Sequence, residues 1–280
     1  MLLGGSLCDF KAFSTNTSTT TTEQGLVMAA GVGASLPVWA YQMAAKTFEC
    51  DSDSGQRIKY TPTGSGDGIK SILKNHVDFA GTDVLIKNST YVAHETNAED
   101  VLLIPSLATA ICATANIPGV FAGKKIHLVL SKATLANIFS GIIRFWDHDD
   151  ILRQNPNFML FLPHEKIRLV AREDSSGTTA IFTRALSSFV ANFAPGVGKL
   201  VVWPASTLKG QQNSGLLEAV SSTPYSIGYA VVGDVKRHKG LQCVNIHNGD
   251  NLPIAPTIDA VHTAISLARK TSSPYDLLSN

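Results

Sequence analysis

Short apolar runs alternate with stretches of helical period along most of the chain. Leu26-Val27-Met28-Ala29-Ala30 has the pattern of a strand ended by Gly31-Val32-Gly33, and Pro37 opens a helical stretch over residues 38–48 whose apolar positions recur on one face. Ile58-Lys59-Tyr60 is a second strand. Gly64-Ser65-Gly66-Asp67-Gly68 turns into a helix carried by Ile69, Ile72 and Leu73, and Val77-Asp78-Phe79-Ala80-Gly81 is a third strand, ending at Thr82-Asp83. This rhythm predicts an α/β domain with a largely parallel sheet. The second half repeats it. Residues 127–130 form a strand, Ser131 caps a helix over 133–139, and a strand over 167–171 runs into Arg172-Glu173-Asp174-Ser175-Ser176-Gly177-Thr178-Thr179 and a helix over 180–189. Residues 226–232 are a late strand. The repeat is loose, which predicts two similar domains rather than a solenoid.

Composition narrows the function classes. Of 280 residues, 44% are apolar and 16% charged, and 23 Lys and Arg face 22 Asp and Glu, a net charge of +1. That balance excludes a nucleic-acid binder working by bulk charge and an acidic disordered chain. The most apolar stretch, residues 104–123, is interrupted by Pro105, Asn116 and Pro118, so it reads as buried strand and turn rather than a span of about 20 apolar residues. The first nine residues lack a basic region and reach Asp9 after a short apolar stretch, so no secretory signal is visible. Ser14-Thr15-Asn16-Thr17-Ser18-Thr19-Thr20-Thr21-Thr22 is too polar and repetitive to pack. Residues 1–25 are therefore expected to be a disordered, Thr-rich segment. The sequons at Asn16 and Asn88 count only if the chain is secreted. Cys8, Cys50, Cys112 and Cys243 lie far apart with no C-x-x-C, which indicates neither a zinc site nor a disulfide framework; Cys112 reads as a small buried apolar residue.

Three loops share one design, each following a strand, carrying Gly and a hydroxyl residue, and preceding a helix: Gly33-Ala34-Ser35-Leu36, Gly64-Ser65-Gly66 and Ser175-Ser176-Gly177-Thr178. A helix N-terminus leaves backbone N–H groups unpaired and carries partial positive charge; Gly allows close approach and Ser or Thr adds donors, so such a loop suits a tetrahedral oxyanion. One loop alone is an ordinary cap. Three, with Arg172 as a bidentate anchor and Asp174 to brace it, favour anion binding. Asp83 repels a bound anion unless that anion still carries a proton to donate. It therefore suits hydrogen phosphate and penalises sulfate, the bland alternative being an Asx turn. The P-loop, dinucleotide and nucleophile-elbow patterns are absent. Asp147-His148-Asp149-Asp150 reads as a helix-capping cluster rather than a metal site, and the three Trp show no interleaving with basic residues.

These blocks, together with Val77-Asp78-Phe79-Ala80-Gly81-Thr82-Asp83, Ala115-Asn116-Ile117-Pro118-Gly119, residues 135–147, Asn155-Pro156 and Thr223-Pro224-Tyr225-Ser226-Ile227-Gly228-Tyr229, resemble in the same order the phosphate-binding proteins that serve phosphate ABC transporters, the PstS-like family. The resemblance covers roughly residues 26–260. It implies an α/β, two-lobed periplasmic-binding-protein fold (type II, Venus-flytrap) closing on phosphate. One lobe would be residues 26–104 plus 230–280 and the other 105–229, with crossings near Pro105 and Tyr229. Carried over by position, it implies phosphate ligands at Ser35, the Leu36 N–H, Ser65, Asp83, Arg172, Ser176, the Gly177 N–H and Thr178, with Asp174 orienting Arg172. Ser35 stands where the family usually has Thr, which keeps the donor, and Leu36 replaces a usual Phe. Family chains continue beyond Asp276-Leu277-Leu278-Ser279-Asn280 with a further strand and helix that complete the first lobe, so the expectation is a truncated chain, a divergent member or a fragment of a larger gene product.

The expected function is non-enzymatic binding of inorganic phosphate without a cofactor or metal, by a monomer that is extracellular or periplasmic. An ABC transporter permease is the expected partner, and nucleic acid is not one. Two rivals stand beside it. A phosphate-ester hydrolase would use the same oxyanion loops but needs a base near Ser35, Ser65 or Ser176, and no His is close to them in sequence. A degenerate interaction module would keep the fold without the ligand.

Overall fold

The computed structural model describes residues 27–51, 56–120, 127–157, 159–238 and 240–271; the Thr-rich head lies outside them. The first part of the chain runs β1 (Val27–Gly33), α1 (Val38–Asp51), β2 (Arg57–Pro62), α2 (Ser65–Leu73), β3 (Phe79–Gly81) and α3 (Asn88–Ala93). The second begins with β4 (Ile111–Asn116), β5 (Val129–Leu130), α4 (Lys132–Phe139), α5 (Asp149–Gln154), β6 (Arg168–Arg172) and α6 (Gly177–Phe189). It continues with β7 (Leu208–Gly210), α7 (Gln212–Ser222), β8 (Ser226–Val231), α8 (Val232–Arg237), β9 (Gln242–Cys243), β10 (Asn245–His247), β11 (Pro253–Ile254) and α9 (Ile258–Thr271).

The first sheet has the order β2-β1-β3 and is parallel throughout, with Gly33 opposite both Pro62 and Gly81. All three strands therefore end level, and the loops after them leave at one edge. Small residues make this possible. Gly33 has φ +136°, and a Cβ there would meet the Gly81 backbone nitrogen at 2.8 Å. The bare backbones then interlock: Ala34 N donates to Gly81 O, and Thr63 N and Gly64 N both donate to Gly33 O, each at 2.8 Å.

The second sheet runs β7-β6-β8-β4-β9. Strands β6, β7 and β8 are parallel, with Arg172 opposite Gly210, so the loops after β6 and β7 also emerge side by side. The expectation of largely parallel pairing fails beyond them, because β4 is antiparallel to both β8 and β9. The reading of Cys112 fails with it. Cys112 is buried, but it is bonded to Cys243, 131 residues away, because β9 lies along β4. A third small sheet, β11-β10-β5, sits beside this one. Residues 242–247, grouped with the first lobe on sequence, thus pair with strands from 111–130, and β11 pairs in turn with β10. The stretch 104–123 is also only in part a buried strand: β4 is, whereas Ile104 and Leu107 are exposed. No residue of α1 is fully buried, although its apolar positions recur on one face.

The large core lies under the second sheet. Phe139 meets Phe182 edge-on at 4.9 Å and Trp203 at 5.8 Å, and Phe182 stacks on Tyr229 at 4.4 Å. Trp146 is fully buried and satisfies its indole N–H on Tyr225 O at 3.0 Å. The local expectations hold here. Ser131 Oγ caps α4 by accepting from Thr134 N, and His148 caps α5.

Candidate functional site

Two helix starts meet where the two sets of loops come together. Ser65 opens α2 and is buried; its hydroxyl oxygen accepts from Gly177 N at 3.2 Å, across 112 residues of sequence, and from Asp83 N at 3.4 Å. Gly177 opens α6, and no side chain fits there: a Cβ would lie 2.5 Å from Ser65 Oγ and 2.6 Å from the Asp83 Cβ. Thr178 donates its hydroxyl to Asp83 Oδ2 at 3.3 Å. Ser176 is the N-cap of α6, its oxygen accepting from Thr179 N at 3.1 Å while its own N–H donates to Lys199 O at 3.1 Å. Gly66 N donates to Ser175 O at 3.1 Å, so the loops of the two sheets are joined by backbone as well as by side chains.

Arg172 ends β6 and is 3% exposed. Its Nε donates to Asp174 Oδ1 at 2.7 Å, Nη2 engages Asp174 Oδ2, and Nη1 donates to Asn213 Oδ1 at 2.6 Å. Its backbone N–H is taken by the Tyr229 hydroxyl, which also bonds Thr179 Oγ1 at 2.7 Å. Tyr229 thereby ties the Arg172 backbone to the aromatic core, while Asp174 and Asn213 orient the guanidinium. Asn213 in turn donates to Asp234. Burial opposes ionisation of Asp174, but the hydrogen bond and charge of Arg172 hold its carboxyl below the usual range. Asp234 goes the other way: burial raises it, with Arg237 and Asn213 working against the rise.

Asp83 is the contrasting group. Burial pushes its carboxyl up to about 6, although the Thr178 hydroxyl, the Arg172 charge and the Ser65 hydroxyl all favour the ionised form. Near neutral pH it is mostly an anion, in a setting that favours taking up a proton. Ser35 lies just beyond β1 and is buried; its hydroxyl has no hydrogen-bond partner among the described residues. Leu36 follows it. Lys199 stands near Asp83 with Lys87 and Lys70, and burial and those two lysines depress its ammonium against the pull of the Asp83 charge.

The structure therefore brings Ser65, Asp83, Gly177 and Thr178 into direct contact and ties Asp174 to Arg172. Ser35 and Leu36 sit on the loop beside Gly81. Sequence reasoning missed Asn213, Gln212 and Lys199. A signal for the first two was present, since Gly210-Gln211-Gln212-Asn213-Ser214-Gly215 is a fourth strand–glycine–helix turn. Lys199 sits in an irregular segment and leaves no such mark. Among the described residues no group of three or more His, Cys, Asp and Glu could hold a metal ion, and no helix is long and apolar enough to cross a membrane.

Two lobes with donor loops at the carboxyl ends of their parallel strands define a Venus-flytrap binding protein, and a family model described as a PBP superfamily domain matches residues 16–278. A phosphate-binding protein PstS of Methanocaldococcus jannaschii is 34% identical over 248 residues, covering 86% of this chain and 62% of that protein. One from Haemophilus influenzae is 31% identical over 241 residues, covering 85% and 68%. The chain belongs to this PstS-like family of the PBP superfamily. In fold it is similar to the solved phosphate-binding protein from Stenotrophomonas maltophilia, with a TM-score of 0.61, 21% identity, and coverage of 90% of this chain and 71% of that one. The chain thus spans less than two thirds of the length of the Methanocaldococcus relative.

Proposed function

We propose that the protein binds inorganic phosphate, as hydrogen phosphate, in the cleft between its lobes, without catalysing a reaction. The observation that carries this reading is the placement of Asp83. It is a half-buried acceptor among groups from both sheets, with the Ser65 hydroxyl from the first and the Thr178 hydroxyl and Arg172 charge from the second. An ion with no proton would meet a carboxylate there and be repelled; hydrogen phosphate donates to it. The remaining ligands in this reading are the hydroxyls of Ser35, Ser65, Ser176 and Thr178, the N–H groups of Leu36 and Gly177, and the Arg172 guanidinium braced by Asp174. The buried, unpartnered Ser35 hydroxyl supports it, as does the family to which the chain belongs. The hydrolase reading draws no support from the described histidines with resolved side-chain contacts. His94, His148, His164 and His238 meet Thr90, Asp150, Asp147 and Glu218, not the site hydroxyls.

In this reading the lobes are built around residues 26–104 and 105–229. The protein acts as a monomer outside the cell membrane, delivering phosphate to the permease of an ABC transporter. Calorimetric titration with phosphate, repeated in excess sulfate, tests the proposal. Tight binding that sulfate does not displace is expected. Equal competition by sulfate would remove the role of Asp83, and no heat from folded protein would overturn phosphate as the ligand.

A further inference from the structure

Gln212 is conformationally out of place. It opens α7 with φ +58°, in the left-handed region where glycine sits at no cost and a side chain is strained. Two hydrogen bonds hold it there. Its backbone N–H donates to Asp174 Oδ1 at 2.9 Å, on the same carboxylate that grips Arg172 through both oxygens. Its side-chain amide crosses to the first sheet and donates to Pro62 O at 2.6 Å, spanning 150 residues of sequence. A carbonyl only accepts, so the amide must present its nitrogen there. Pro62 is the last residue of β2, opposite Gly33 and three residues before Ser65.

The other hydrogen bonds that join the two sets of loops run through Ser65, Gly66, Ser175, Gly177, Thr178 and Asp83, in the midst of the proposed phosphate donors. The Gln212–Pro62 bond lies outside that group. We propose that Gln212 is a positioning residue, a latch that joins the lobes when the cleft is closed and couples closure to Arg172 through Asp174. The strained backbone is tolerated because that conformation aims the side chain at Pro62. A bond formed in the closed arrangement and broken in the open one adds to ligand affinity without touching the ligand. This rests on the phosphate reading.

Two variants separate the latch from simple stability. Gln212→Gly removes the side-chain bond and relieves the strained φ, whereas Gln212→Ala removes the bond and keeps the strain. Phosphate titrations of both should show affinity about five- to tenfold weaker than wild type, the loss expected for one half-buried hydrogen bond. Thermal unfolding of the ligand-free proteins should leave Gln212→Gly as stable as wild type or more so, and Gln212→Ala less stable. Affinities within twofold of wild type in both variants would overturn the latch while leaving the phosphate reading intact. So would a loss seen in Gln212→Ala alone, in step with its melting temperature. Wild-type protein that takes up no phosphate would overturn the phosphate reading and the latch with it.

Discussion

The two lobes present matching loops to the cleft over different foundations. Beneath β6 and α6, Phe139, Phe182, Trp203 and Tyr229 form a continuous aromatic block, and Tyr229 reaches from it to hold both Arg172 and Thr179. Beneath β1 to β3 the buried cluster among the described residues is Ile69, Leu73 and Tyr91. The first-lobe loops are held largely by main chain, through glycines that allow β1 and β3 to touch and the bonds from Ala34, Thr63 and Gly64, with the buried Tyr60 hydroxyl donating to Ala34 O at 2.7 Å as the side-chain tie. Loops of one design can rest mainly on dispersion and hydrophobic burial, or mainly on hydrogen bonds between close-packed main chains. The two should respond differently to substitution.

Removing core mass gives the largest contrast. Phe139→Ala should cost about 3–5 kcal/mol, since Phe139 is fully buried among rings that cannot collapse, while Leu73→Ala should cost about 2 kcal/mol in the thinner cluster. Urea denaturation of both variants measures this, and equal costs would mean that the first lobe is as firmly packed as the second. The disulfide comes next. Replacing Cys112 and Cys243 together by Ala should lower stability by about 2–4 kcal/mol, because it frees a closed loop with a sequence separation of 131. Arg172 is held by the core rather than by that bond, so phosphate affinity should change less than twofold.

The smallest stability effect has the opposite sign and falls on the first lobe. Burial raises the Asp83 carboxyl from 3.8 to about 6, so between those values the ligand-free fold holds a proton that the unfolded chain has released. Stability from this group is full below the unfolded value and is lost as pH rises through about 6. Asp83→Asn should therefore stabilise the ligand-free protein by about 2–3 kcal/mol at neutral pH and by almost nothing near pH 3. Denaturation curves across that range check the slope. Preference for phosphate over sulfate should fall in the same variant, so that stability and specificity move in opposite directions.

The loops of the candidate site were legible locally, while the assignment of individual ligands came from the family resemblance. A strand, a Gly, a hydroxyl residue and a helix start are neighbours in sequence, and their chemistry follows from unpaired N–H groups at the helix N-terminus. Ser35, Ser65, Ser176, Gly177 and Thr178 could be singled out for that reason, and Arg172 and Asp174 because they lie two residues apart. The alternation of short apolar runs with helical periods was enough to indicate an α/β chain. Its β1, α1, β2 and α2 fall within a few residues of the expected segments.

What the tertiary structure decided involves partners far apart along the chain. Periodicity records which face of a strand is apolar, not which strand lies beside it. The antiparallel turn of β4 onto β8 and β9, and with it the Cys112–Cys243 bond, therefore had no mark in the sequence. The hydrogen bond from Arg172 to Asn213 spans 41 residues, and the reach of Gln212 to Pro62 depends on one backbone angle and on two lobes meeting. The proton affinity of Asp83 belongs to the same class. Its carboxyl is ordinary in sequence and becomes unusual because folding removes the water around it faster than Ser65, Thr178 and Arg172 compensate.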